Sequence, residues 1–105
     1  MCVKMIKKLT DDMWENIHEA KDKIKEAYKL RDKDKGVADW YREMAVAHMA
    51  FNTNGHQNVK RLIEHAQTEM KDNPMTPGML AVYNEMHADI MAESAEVNAM
   101  IAAYK

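Results

Sequence analysis

Glycine and proline, the residues that most often interrupt regular structure, are scarce in this chain: three and two among 105. Few tight turns are available, which favours long, unbroken elements. Val, Ile and Thr are sparse as well, so a strand-rich fold is disfavoured. The single cysteine, Cys2, can form neither an internal disulfide nor a CxxC metal site, and a reducing, cytoplasmic location is the plain expectation. No apolar run approaches the roughly 18 residues of a membrane span. The opening "MCVKMIKKL" has lysines but no long apolar stretch and no small-residue cleavage site, so it does not read as a secretory signal. Excess positive charge is also missing. A formal charge of −2 excludes a nucleic-acid binder that works mainly by neutralising phosphates.

What is present is a globular mixture, 47% apolar and 30% charged, dominated by Ala, Met, Lys and Glu. There is no internal repeat and no interdomain linker, so one domain over residues 1–105 is expected. Helix boundaries are marked by side-chain chemistry. In "KLTDDMWE", Thr10 suits an N-cap, Asp11 and Asp12 favour the positive helix end, and Leu9 and Trp14 occupy staple positions. The face that follows is Met13, Ile17, Ala20, Ile24, Ala27 and Tyr28. It ends in "RDKDKG", where Gly36 suits a stop. In "DNPMTPGML", Thr76 suits an N-cap and Pro77 the first helical position, with Met75 and Leu80 as a staple. The spacing predicts helices over about 10–32, 37–72 and 77–104.

The segment "HMAFNTNGHQNV", residues 48–59, contains a turn-forming Asn54-Gly55 pair. Projected at about 100° per residue, however, an apolar stripe crosses it without losing phase: Val37, Trp40, Tyr41, Met44, His48, Phe51, Gly55, Val59, Leu62, Ala66 and Met70. One helix through Gly55 is expected, with the missing side chain letting a neighbour approach closely. The fold class that follows is all-α: an antiparallel bundle of three main helices with a long central one. The first helix is expected on the first half of the central helix and the third on the second half, leaving ends to be covered by oligomerisation. Trp40, Phe51, Leu62, Ile24, Ile90 and Ile101 are the expected core; Met5, Met49, Met75 and Met91 are expected outside it.

The third helix offers Tyr83, Met86, Ile90, Ser94, Val97, Ile101 and Tyr104 to the second. A different face carries Ala81, Ala88, Ala92, Ala95, Ala99 and Ala103 beside Glu85, Asp89, Glu93 and Glu96, with no Lys or Arg from Gly78 through Tyr104. Such a face is either a solvated surface or a docking surface for a basic partner. The interface expectation falls on Glu85, Ala88, Asp89, Ala92, Glu93, Ala95, Glu96 and Ala99.

Catalytic chemistry is hard to place. Ser-His-Asp, a phosphate-binding glycine loop and HExxH are all lacking, so the protein is expected to be no enzyme and to need no cofactor. The rival is a ferritin-like metal protein or oxidase formed by a dimer. Glu15-x-x-His18 has the spacing used in diiron bundles, and Glu43 and His48 add ligand types. Against it, Glu15 and His18 project away from the apolar face. His48 and His87 lie near buried stripes, with His65 and His87 close in level along the antiparallel pair.

The stretches "ADWYREMAVAHMAFNTNGH" (38–56) and "GMLAVYNEMHADIMAE" (78–93) resemble short helical proteins encoded in phages and prophages of gut Firmicutes. The resemblance spans most of the chain and carries no catalytic motif. It implies an accessory role by contact: assembly with itself or a virion component, or binding and blocking a host-defence protein as anti-CRISPR proteins do.

Overall fold

The computed structural model describes residues 2–73 and 76–105, with side chains from residue 4 onward. Three α-helices account for the regular structure: α1 (Cys2–Leu30), α2 (Lys35–Glu69) and α3 (Thr76–Ala103). No strand occurs among the described residues. The chain runs up, down and up, so α2 is antiparallel to both neighbours. The Cα atoms fill a rod of 59 × 17 × 15 Å, about the length expected of the 35-residue α2 alone at roughly 1.5 Å per residue.

One spacing rule builds all three helices. Buried positions on α1 are Ile6, Thr10, Met13, Ile17, Ala20, Ile24 and Ala27, alternating steps of four and three. On α2 the fully buried set is Ala38, Ala45, Asn52, Val59 and Ala66, one every seven residues, with Met49 and Ile63 interleaved. On α3 the same alternation links Thr76, Leu80, Ile90, Ser94, Val97, Ile101 and Tyr104 through half-buried Tyr83 and His87. A seven-residue repeat keeps one seam facing its neighbours only if the helices wind gently around one another.

That repeat corrects the expected face of α2. A step of 100° drifts about 20° per heptad from a seven-residue repeat. Over five heptads the projected stripe leaves the true core. The two coincide near Gly55, Val59 and Ala66, which are buried, and part company towards the N-terminal half. Trp40 and Phe51 are exposed there rather than enclosed, and Leu62 is half-buried. Ile24, Ile90 and Ile101 are buried as expected, as is the helix-2-facing side of α3. Met5 and Met91 lie outside the core, whereas Met49 is buried within it; Met75 falls outside the described residues.

The boundaries shift for local reasons. Thr10 is no cap but a buried interior residue, its hydroxyl donating to the Ile6 and Lys7 carbonyls at 3.0 and 2.8 Å. The helix already runs through residues 2–9 because Ile6 continues the core repeat and is fully buried. Asp11 and Asp12 instead take Lys7 and Lys8 as partners one turn back. Leu9 and Trp14 accordingly form no staple at a helix start. At the first connection, Asp34 caps α2 by accepting from the Val37 amide at 3.1 Å, so Gly36 lies inside the helix rather than at a stop. At the second, α2 ends at Glu69, and α3 includes Thr76 itself.

Register is fixed by polar contacts. Asn52 donates to the Met13 carbonyl at 3.1 Å. The same antiparallel register sets Ile6 level with Val59, Ala20 with Ala45 and Ala27 with Ala38, small residues that let α1 and α2 approach closely. Gly55 completes this seam: a Cβ there would lie 2.9 Å from Met13 Cγ. The helix passes straight through Asn52–Gly55, with no positive φ at any described residue. At the far end, the Tyr104 hydroxyl donates to Asp39 at 3.0 Å, and Tyr28 donates to the Met100 carbonyl at 2.7 Å. These contacts place α1 and α3 side by side along nearly all of α2. The expected division, one neighbour per half with overlap near the middle, is therefore wrong: residues 2–9 carry α1 more than two turns further along α2, and α3 reaches back far enough for Tyr104 to meet Asp39.

Two glycines and two apolar residues test this packing in opposite senses. Gly55→Leu should destabilise the chain by about 1–3 kcal/mol through overpacking against Met13. Gly78→Ala, where a Cβ meets nothing within 4 Å, should stabilise it by up to about 1 kcal/mol. Ile17→Ala should cost about 2–5 kcal/mol, against less than about 1 kcal/mol for exposed Phe51→Ala in dilute solution. Urea unfolding of the four variants checks the order.

Candidate functional site

Polar side chains interrupt the core near its middle. Between the levels of Ile63 with Leu80 and Met49 with Ser94, α2 and α3 place histidines opposite one another. His56 Nδ1 lies 2.9 Å from His87 Nε2, with ring centroids 5.0 Å apart and planes at 42°. Ser94 Oγ stands 3.5 Å from the other His56 nitrogen, Nε2. One turn earlier on α2, Asn52 is almost fully buried, and its Oδ1 is the one buried side-chain oxygen or nitrogen without a hydrogen-bond partner among the described residues. Its amide nitrogen is committed to Met13, so exchanging the two ends of the amide would set oxygen against oxygen. Beyond it, half-buried His48 meets Asn16 of α1 at 3.0 Å.

Burial holds His56 below the ordinary imidazole pKa, helped by the facing His87, and burial alone does the same to His87. No carboxylate contributes to either shift. Both rings are therefore neutral at pH 7, and one nitrogen of the facing pair carries the bridging hydrogen. Chemically the layer offers imidazole nitrogens, a hydroxyl and an unused amide oxygen.

The residues singled out for metal binding are not brought together. Glu15 and His18 are exposed on α1, the His18 ring lying tilted against Trp14 with centroids 5.6 Å apart. Glu43 is exposed on α2 and pairs with Arg42. His48 shares with Glu15 only the margin of an open groove between α1 and α2, beside Asn16 and Phe51. No group of three or more His, Cys, Asp or Glu placed to hold a metal ion occurs among the described residues.

On α3, Glu85, Ala88, Asp89, Ala92, Ala95, Glu96 and Ala99 are exposed along one side, and Glu93 is half-buried. Glu93 is already engaged, accepting from Lys21 of α1 at 2.9 Å, with Glu96 3.6 Å from the same ammonium. Half of the expected acidic stripe thus serves to bind α3 to α1.

The His56–His87 pair is absent from the expected sites. Both the register and the face differ from those expected: His87 stands opposite His56 rather than near Leu62 and His65, a slip of about six residues, and His65 is exposed. Heptad spacing carries the signal, because His56 follows Asn52 by four and precedes Val59 by three, and His87 stands likewise between Tyr83 and Ile90.

Comparison with known proteins finds no matching family model, no matching curated protein and no matching solved structure. No helix among the described residues is long and apolar enough to cross a membrane.

The lowered imidazole pKa values make stability depend on pH. The unfolded chain takes up protons near pH 6.5, before the folded pair does. Stability should therefore be full above that value and should decline as pH falls through it towards the folded pKa values. Urea midpoints measured with a chelator between pH 7.5 and about 5 should fall. A His56→Leu/His87→Leu variant should show a flatter profile.

Proposed function

We propose that the chain is a non-enzymatic helical interaction module of the cytoplasm that works by contact, first with a second copy of itself. The observation that carries this reading is a second apolar stripe on the outward side of α2. Val37, Trp40 and Phe51 are 41%, 57% and 70% exposed, and half-buried Met44 and exposed Ala47 lie between them. Positions 37, 40, 44, 47 and 51 repeat the three-four spacing of the core seams, which is the pattern of a helix that packs on another helix. Large aromatics in water on a helix that already has a complete inner face favour an interface.

The stripe suits its own reverse. An antiparallel two-fold midway between Trp40 and Phe51 would set Trp40 of one copy against Phe51 of the other, and Met44 against Ala47. Large groups then meet large groups at the ends and a small one at the centre. Two exposed aromatics per copy, each presenting on the order of 100–150 Å², supply a substantial apolar centre. With the flanking residues the contact can reach the roughly 1,000 Å² of a specific interface. The alanine face of α3 is the other available surface. The phage-protein resemblance implies an accessory role, and the carboxylates beside those alanines would select a basic protein partner for it.

Sedimentation at tens of micromolar tests both surfaces. The wild type should be a dimer or larger symmetric oligomer. Trp40→Glu/Phe51→Glu should give a helical monomer, while Ala92→Glu/Ala99→Glu should leave the oligomer intact. A monomeric wild type refutes self-association; dissociation by the alanine variant alone would move the contact to α3.

A further inference from the structure

We propose that His56 and His87 form a binding site for a borderline transition-metal dication, of the copper(II), nickel(II) and zinc(II) class, through His56 Nδ1 and His87 Nε2. This site is distinct from the Glu15, His18, Glu43 and His48 set, and it lies within a single chain. The two nitrogens already face one another 2.9 Å apart across two helices. Metal–nitrogen bonds of about 2.0–2.1 Å place adjacent imidazole nitrogens roughly 3 Å apart around one ion. Each ring must turn by about 45°, so that its lone pair points beside the other nitrogen rather than at it, for both to meet one ion. The ligand chemistry selects the ion class: two neutral imidazoles without carboxylates favour copper, nickel or zinc over magnesium or calcium.

The surroundings supply what such a site needs beyond its ligands. In the metal-free pair one facing nitrogen bears hydrogen. Binding moves that hydrogen to the far nitrogen of the same ring, so both lone pairs reach the ion and no net proton is released. When the ring is His56, the relocated Nε2–H faces Ser94 Oγ, 3.5 Å away, which can accept it and orient the ring. Both histidines are half-buried, so water can enter and fill the remaining coordination positions. The backbone positions of the pair are set by the buried residues on either side of it, Ile63 with Leu80 and Met49 with Ser94, while the half-buried rings keep room to turn.

Copper(II), nickel(II) and zinc(II), each titrated into tag-free protein with Cys2→Ala removing the thiol, test the site. One ion should bind per chain and raise the melting temperature, with copper tightest, while magnesium should do neither. His56→Ala or His87→Ala should weaken copper binding at least ten-fold; His48→Ala and His65→Ala should not. Histidine NMR signals of the protein with its five histidines intact give a readout independent of those variants' folding. Substoichiometric copper should broaden His56 and His87 before His18, His48 and His65. Absence of one-to-one binding by all three ions, undiminished binding in His56→Ala or His87→Ala, or first broadening at other histidines would each overturn the proposal.

Discussion

The close approach of α1 to α2 is the constraint on which the rest of the bundle depends. A side-chain amide can reach a main-chain carbonyl inside another helix, as Asn52 does at Met13, only where the two backbones lie near each other. Gly55 makes that room, and the alanines at 20, 27, 38 and 45 extend it along the seam. Once α1 and α2 are locked in this register, their remaining seams form one trough. α3 fills it with Leu80, Ile90, Val97, Ile101 and Tyr104. A polar residue in such a seam costs stability but selects one alignment over the slips that a purely apolar repeat would tolerate. Asn52 and the His56–His87 pair perform that selection on the two seams of α2.

The end of the rod is secured differently. Tyr104 lies edge-on to Tyr28, with centroids 5.5 Å apart, and beneath the Lys35 ammonium at 5.1 Å, while its hydroxyl donates to Asp39. Lys35 in turn pairs with Asp39 and, together with the Tyr104 hydrogen bond, holds that carboxyl below its ordinary pKa. Residues from all three helices thus meet at one point beside the 31–34 turn. Between this clamp and the Asn52–Met13 and His56–His87 contacts, each helix is positioned twice along its length.

Much of this was legible in the sequence. The helix count, the continuity through Asn52–Gly55, the α1 face from Met13 to Tyr28 and the inner face of α3 all follow from spacing and breakers. The reason Gly55 is glycine was legible too. The rotation of α2 was not, because two apolar stripes run along its N-terminal half and the one with bulkier residues points outward. Trp40 and Phe51 outweigh Ala38 and Ala45 in any hydrophobicity projection, yet the alanines are the ones that fit a narrow seam. The start of α1 was hidden for a related reason: Thr10, Asp11 and Asp12 resemble a cap, although Ile6 keeps the core phase before them. The histidine pair was lost with the rotation of α2 and with the slip in register, since its members share a seam only when the repeat is counted in sevens.

The up-down-up topology of three helices also has an electrical consequence. Each helix carries roughly half an elementary charge of opposite sign at its two ends. Antiparallel α2 cancels one neighbour and leaves the other uncompensated. The backbone dipoles alone therefore do not cancel: they leave a partial positive charge where α1 and α3 begin and a partial negative one where they finish. Across the width of the rod, Glu93 and Glu96 are answered by Lys21 of α1, while Glu85 and Asp89 have no Lys or Arg on their own helix. At the end where α1 and α3 finish, Lys29, Arg31, Lys33 and Lys35 outnumber Asp32 and Asp34, so the side chains of the first connection offset the partial negative charge that an odd number of antiparallel helices leaves behind.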